Sequence, residues 1–277
     1  MARQIKSFSQ LLIGSLLGLS LITTPGLAQQ NLLTRAEIYK LANQVQLLLK
    51  NQPPRPAKIS DILIPQDALR TAARSKVELL FNEGTLARIG ANAMFQFIPG
   101  TRSFELRNGT VLVMFRPGSG GGKIITPEAI VVARGTLMWV RHDSATQTTL
   151  AGALTSNPPS PVIVSNAKGE GTVQLKAGQR VSVVNGKVGL VKALNLQTFH
   201  QTCELAAGLG PGEEKLVDQE SPEVQATLKA VRAETLAALT SQLRSMGLAA
   251  DTDDFRPCPP QKVLGNKISF NSVHVRL

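Results

Sequence analysis

The side chains able to do chemistry are few and scattered along the chain. Three histidines, His142, His200 and His274, lie far apart and on none of the spacings that bring imidazoles to one metal ion. His142 and Asp143 are neighbours, but adjacent residues on a strand face opposite ways, so the pair reads as polar turn residues rather than a base and its orienting acid. There is no Gly-x-Ser-x-Gly elbow, and neither cysteine sits in a nucleophile motif. Glu83, Glu105, Glu128 and Asp143 are carboxylates of the kind that cleave glycosides in pairs, and nothing in their spacing brings two together. The glycine run at 118–122 is not a phosphate loop. That motif requires glycine where Pro117 stands, Ser or Thr where Ile124 stands, and a helix to follow. The chain is therefore expected to have no catalytic, metal or cofactor site and not to be an enzyme.

The remaining chemistry is thiol and charge. Arg3 and Lys6, an apolar run at 11–22 and the small residues of Gly26-Leu27-Ala28 read as a secretory signal cut between Ala28 and Gln29. The alternative is an uncleaved anchor. The expected address is the periplasm or outside the cell, where Cys203 and Cys258 become a candidate disulfide worth roughly 4 kcal/mol. The formal charge is +11, and residues 58–192 hold sixteen Lys and Arg against eight Asp and Glu. A polyanion would be drawn there, with Arg88, Arg102, Arg107, Arg116, Arg134 and Arg141 as candidate contacts; the plainer account is a surface kept soluble by like charge. Aromatic residues make up only 4% of the chain, which argues against a stacking platform for sugars or single-stranded bases.

Elements must position these groups, and one phrase recurs where they lie: a strand-like run, a polar residue, Gly-Thr, and a second strand-like run. It appears as VELLFNEGTLARI, SFELRNGTVLVMF and AIVVARGTLMWV, with Gly84, Gly109 and Gly135 spaced 25 and 26 apart, and more loosely as VQLKAGQRVSVV around Gly178. A fixed period of this length predicts stacked supersecondary units, a mainly β, solenoid-like stack with glycine at each corner. Alternation predicts that Val77, Leu79 and Phe81 face a core while Lys76 and Glu78 stay wet, whereas residues 111–115 and 130–132 are apolar throughout and buried on both sides. Upstream, Thr34 and Glu37 form a capping box, and Ile38, Leu41, Val45 and Leu48 follow at helical spacing; this predicts a capping helix ended by the prolines of 51–56. Downstream, Ser221, Pro222 and Glu223 open a second helix whose apolar face runs through Leu228, Val231, Leu239, Leu243 and Met246 to Gly247. Ile268, Phe270, Val273 and Val275 suggest terminal strands. The divisions are thus 1–28 signal, 29–57 helix and linker, 58–192 β domain and 193–277 extension.

Within 58–184 the opening Asp67-Ala68-Leu69-Arg70-Thr71, the glycine phrases, ITPEAIVVARGTLMWVR and LKAGQRVSV together resemble the FecR domain family, in its stand-alone, signal-bearing form as in cyanobacteria. The resemblance implies an all-β periplasmic domain; some members sense signals for anti-sigma regulators tied to outer-membrane transporters, and others stand alone or accompany cell-wall-binding modules. Gln66 replaces the glycine that usually precedes the Asp-x-x-x-Thr opening, and prolines interrupt the late strand after Gly152. Neither a cytoplasmic anti-sigma segment nor a membrane helix is read behind the domain, so direct contact with a sigma factor is not expected. The expected function is a non-catalytic envelope module that recognises another protein, for signalling or as a scaffold; the alternative is binding of an anionic envelope polymer by the basic β-stack.

Overall fold

In the computed structural model the described residues are 32–116, 118–133, 137–155, 161–245 and 257–258. The expected signal with its Ala28–Gln29 junction, Arg134, Gly135, Met246, Gly247 and the terminal strands from Ile268 to Val275 lie outside them. The described chain is mainly β, with helices at its C-terminal side. In order its strands are β1 (Ala36–Ala42), β2 (Val45–Leu48), β3 (Arg55–Pro56), β4 (Ile62–Leu63), β5 (Ala68–Thr71), β6 (Lys76–Phe81), β7 (Leu86–Ile89), β8 (Met94–Phe97) and β9 (Ser103–Met114). There follow β10 (Gly122–Ile125), β11 (Ala129–Ala133), β12 (Leu137–Asp143), β13 (Thr148–Ala153), β14 (Val162–Asn166), β15 (Val173–Leu175), β16 (Gln179–Val184), β17 (Lys187–Val188) and β18 (Lys192–Ala193). Helices α1 (Leu196–Thr202), α2 (Glu214–Asp218) and α3 (Pro222–Ser245) complete it.

The strands form two layers that share β9. The first runs β4–β1–β6–β7–β9–β12–β13–β16, with β17 and β18 along the far side of β16. The second runs β3–β2–β5–β8–β9–β10–β11–β14–β15. Between them lies the main core, where alternate residues such as Ile38, Leu79, Phe81, Phe95, Phe104, Val113, Val131 and Val140 meet. Phe81, Phe97 and Phe104 pack with ring centroids 5.1–6.1 Å apart. The outer face of the first layer carries Leu112, Met114, Leu137 and Trp139, and the helices cover it with Phe199, Leu205, Leu228 and Val231. Residues 111–114 are therefore buried on both sides, as their unbroken apolarity predicts.

Three expectations are corrected. The stacked coil gives way to antiparallel pairing throughout, with β9–β10 the single parallel pair among the described strands. Gly84 sits in the β6–β7 hairpin turn, its N–H donating to the Phe81 carbonyl. Gly109 lies inside β9, where residues before it pair with β8 and residues after it pair with β7, so the strand passes from the second layer to the first. Gly178 stands where β15 of the second layer gives way to β16 of the first. Both corner glycines adopt positive φ, +95° and +74°. The repeat is real, and at Gly109 and Gly178 it marks crossings between layers rather than turns of a coil.

The N-terminal helix is replaced by β1 and β2. A bulge between Ile38 and Lys40 inserts a residue into β1, so the inward positions opposite Leu79 and Val77 become Ile38 and Leu41, three apart. Asn43, at φ 60°, then carries the chain to the second layer, where Val45 and Leu47 point inward. Inward positions at 38, 41 and 45 imitate a helical stripe, and ladder bonds to β6 and β5 override it. Thr34 caps nothing; its N–H donates to Asn82 Oδ1 at 2.9 Å. The wet face predicted for β6 is also dry, because the helices lie over it: Lys76 and Glu78 are buried.

The C-terminal helix follows its signals. It begins at Pro222, the Ser221 carbonyl accepts from the Gln225 N–H, and Leu228, Val231 and Leu239 are buried while Leu243 is exposed. Helix and sandwich are fastened where the Tyr39 hydroxyl and the Lys40 ammonium reach Glu220, and where the Thr227 hydroxyl donates to the Gly84 carbonyl at 2.7 Å. No helix among the described residues is long and apolar enough to cross a membrane.

Candidate functional site

Asp67 and Thr71 open the best-marked sequence motif, and both are joints. Asp67 is buried and accepts the Lys50 N–H on Oδ1 at 3.0 Å and the Ile64 N–H on Oδ2 at 2.9 Å, pinning the loop before β5 to the end of β2. The Thr71 hydroxyl donates to the Gly90 carbonyl at 2.7 Å and accepts the Ala93 N–H at 2.8 Å, which closes the turn between β7 and β8. Burial leaves these polar groups no water, so each finds a partner within the chain. Gln66 holds φ 87°, a backbone state suited to glycine.

The five of the six arginines that are described do not form a ladder. Arg88 stands directly opposite Glu78 across the β6–β7 hairpin, with Nε 2.9 Å from its carboxylate, and also donates to the Leu205 and Ala207 carbonyls beneath the helices. Arg102 is equally internal. It bonds Glu83 at 3.1 Å, the Ser119 hydroxyl at 3.2 Å and the Gly121 carbonyl, with its guanidinium 5.9 Å from the Phe115 ring centroid. The glycine-rich run is thus clamped from below by an arginine. Arg107 is exposed and paired with its own Glu105 at 2.9 Å on the outer face of the second layer. Arg116, past the end of β9, is exposed with its stem against Gly84. Arg141 is half-buried on the other face of β12, opposite Thr110 and Leu150. Arg134 lies outside the described residues.

The acids and histidines are dispersed as well. Glu128 accepts the Gly186 N–H at 2.6 Å, and Asp143 Oδ1 accepts from Ala145 at 2.9 Å in the β12–β13 turn. His142 points the opposite way, into the end of the core, where Nδ1 lies 3.0 Å from the Thr149 hydroxyl, itself 2.7 Å from that of Thr126. Burial holds its pKa below the ordinary histidine value, against the pull of Glu128 and Asp143. His200 is depressed for the same reason, opposed by Glu213, and neither of its ring nitrogens has a hydrogen-bond partner among the described residues. No three His, Cys, Asp or Glu side chains gather into a metal-binding group among the described residues. Cys203 and Cys258 are joined in a disulfide with Cα atoms 5.0 Å apart, fastening the segment beyond α3 to the end of α1.

The two faces of the sandwich differ. Helices occupy the outer face of the first layer, while the second layer turns outward Arg70, Gln96, Glu105, Arg107 and Lys123 beside half-buried Ile125, Ile130, Val132 and Ile163. Sequence reasoning placed residues 130–132 in a doubly buried strand and so overlooked this face. It also passed over residues 185–193 beyond β16, whose signal was the absence of any Asp or Glu between 171 and 203.

Comparison with known proteins bears on the central part of this frame. Residues 67–155 match the FecR protein family. The matched segment thus opens on the Asp67 joint, includes the shared strand β9 with both crossing and clamp, and closes just past β13. Two crystal structures of a protein designated an anti-sigma factor from Parabacteroides distasonis are similar over 48% of this chain, at 16% and 14% identity and a TM-score of 0.40 each. The likeness covers 64% of that protein's chain, less than two thirds of its length. A search of curated proteins found no match.

Proposed function

We propose that this chain is an exported, non-catalytic envelope protein whose FecR region recognises another protein, as a signalling or scaffold module. The observation that carries the reading is how the FecR region disposes of its reactive side chains. Asp67, Thr71, Glu78, Arg88, Glu83, Arg102 and His142 all bond within the fold, so a partner would meet the faces of the sandwich rather than these groups. The same observation counts against an arginine ladder for anionic polymer, since Arg88 and Arg102 already neutralise buried carboxylates. Capture through a strand edge is also disfavoured: β16 is overlain by β17 and β18, and β3, β4 and β15 are two or three residues long. Docking belongs instead on the outer face of the second layer, where aliphatic side chains lie between charged ones.

The test is capture from envelope extract with residues 29–277, at low and high salt, beside an Ile130→Glu variant. The reading expects one discrete protein, held at high salt and lost with Ile130→Glu. Retention that disappears with salt, is unchanged by Ile130→Glu and is reproduced by an anionic polysaccharide column refutes it.

A further inference from the structure

The edge of the first layer ends in a strap, residues 185–193, that carries the most exposed apolar side chain of the described fold. Leu190 is 84% exposed, and Val184 and Val191 are each 39% exposed. The strap is held firmly at both ends. Val183 and Val184 pair with Val188 and Lys187, Gln179 and Arg180 pair with Ala193 and Lys192, and the Gly189 N–H donates to the Ser182 carbonyl at 2.8 Å. Leu190 is therefore presented at the crest of an anchored bulge. Lys187 and Lys192 flank it, both exposed. The stretch 171–203 contains Lys176, Arg180, Lys187 and Lys192 and not one acid. Two carboxylates meet the strap at its Gly186 end, away from the crest in sequence: Glu128 takes the Gly186 N–H, and Glu170 takes the amide of Asn166, which also donates to the Gly186 carbonyl.

We propose that this strap is a contact for the surface of an anionic lipid bilayer, with Leu190 and Val191 entering the headgroup region and Lys187 and Lys192 meeting lipid phosphates. An aliphatic tip between lysines on flexible stems is the pattern of an interfacial anchor, in which apolar insertion and attraction to anionic lipid act together. The crest offers no aromatic ring of the sort that anchors protein interfaces. Lysines alone would protect an open edge from pairing, but protection does not call for a leucine in water between them. The proposal goes beyond protein recognition by the FecR region and does not depend on it, because the strap lies outside residues 67–155.

Co-sedimentation of residues 29–277 with vesicles of phosphatidylglycerol and phosphatidylcholine, against phosphatidylcholine alone, tests it. Binding is expected only to the mixed vesicles and is expected to weaken with salt. Leu190→Asp should lower it about tenfold, and Lys187→Glu with Lys192→Glu about tenfold or more. Leu243→Asp, at an exposed leucine on α3, should leave it unchanged, and each variant should unfold at the parent's urea midpoint. Equal binding to both vesicles, parent-like binding by Leu190→Asp, or no binding at all overturns the proposal. So does a concentration-dependent dimer abolished by Leu190→Asp, which would make the strap an edge-to-edge contact between copies.

Discussion

Gly109 is where the account of the fold is most exposed to test. Gly109→Ala should be compared with Gly84→Ala, because the two glycines have nearly the same φ, +95° and +90°, and different surroundings. Each substitution forces an L-residue into positive φ, costing about 1–2 kcal/mol. At Gly84 the added methyl meets the Cδ of Arg116 at 3.1 Å, the stem of an exposed side chain that can move aside. At Gly109 it meets the Cα and Cβ of Ala93 at 2.5 Å. Ala93 cannot yield: its N–H bonds the Thr71 hydroxyl at 2.8 Å and its carbonyl accepts the Thr71 N–H at 3.0 Å. Overpacking against fixed backbone adds about 1–3 kcal/mol. Gly109→Ala should thus lose about 2–5 kcal/mol in urea unfolding and Gly84→Ala about 1–2 kcal/mol. Adding Ala93→Gly should not rescue the former, because the clash with Cα persists. Equal losses at the two sites, or rescue by Ala93→Gly, would refute the crossing of β9 at this corner.

Gln66→Gly should raise stability by about 1 kcal/mol in the same assay, since glycine relieves the positive φ that Gln66 now holds. Arg88→Ala should cost about 3–5 kcal/mol by stranding the Glu78 carboxylate under the helices, whereas Arg88→Met with Glu78→Leu should cost far less. His142 and His200 both have pKa values depressed by burial, so the unfolded chain binds protons more readily than the native one. Stability is therefore full above the ordinary histidine pKa of about 6.5 and falls as pH drops from there through the lower native values. Urea midpoints across that window should decline, and His142→Asn, which keeps a partner for Thr149, should flatten the decline; an unchanged slope would exclude His142 as a source.

Much of the architecture was legible because it rests on local chemistry. Strand content, the shared character of 111–114, the helix opened by Ser221 and Pro222, and the Cys203–Cys258 bridge follow from alternation, capping and cysteine count. The first helix was misread because a bulge and a left-handed Asn43 convert period two into spacings of three and four, which periodicity cannot tell from a helical stripe. The stacked coil was misread because the recurrence of Gly-Thr states that a backbone event repeats and not which event it is. Crossing between layers and turning a coil both call for glycine.

The arginines show which part of a site can be read from sequence. The phrase VELLFNEGTLARI, taken as a hairpin turning at residues 82–84, sets Phe81 opposite Thr85 and Leu80 opposite Leu86, and therefore Glu78 opposite Arg88, as observed. That pairing was available without coordinates once the glycine was assigned to a hairpin. Arg102 is different, since its partners Glu83, Ser119 and Gly121 come together only when β9 runs between the layers. A basic excess becomes evidence about a partner only after such internal pairs have been subtracted. In this chain the subtraction removes charge from residues 67–155 and leaves the strap at 185–193, which holds no acid of its own and where Lys187 and Lys192 flank an exposed leucine.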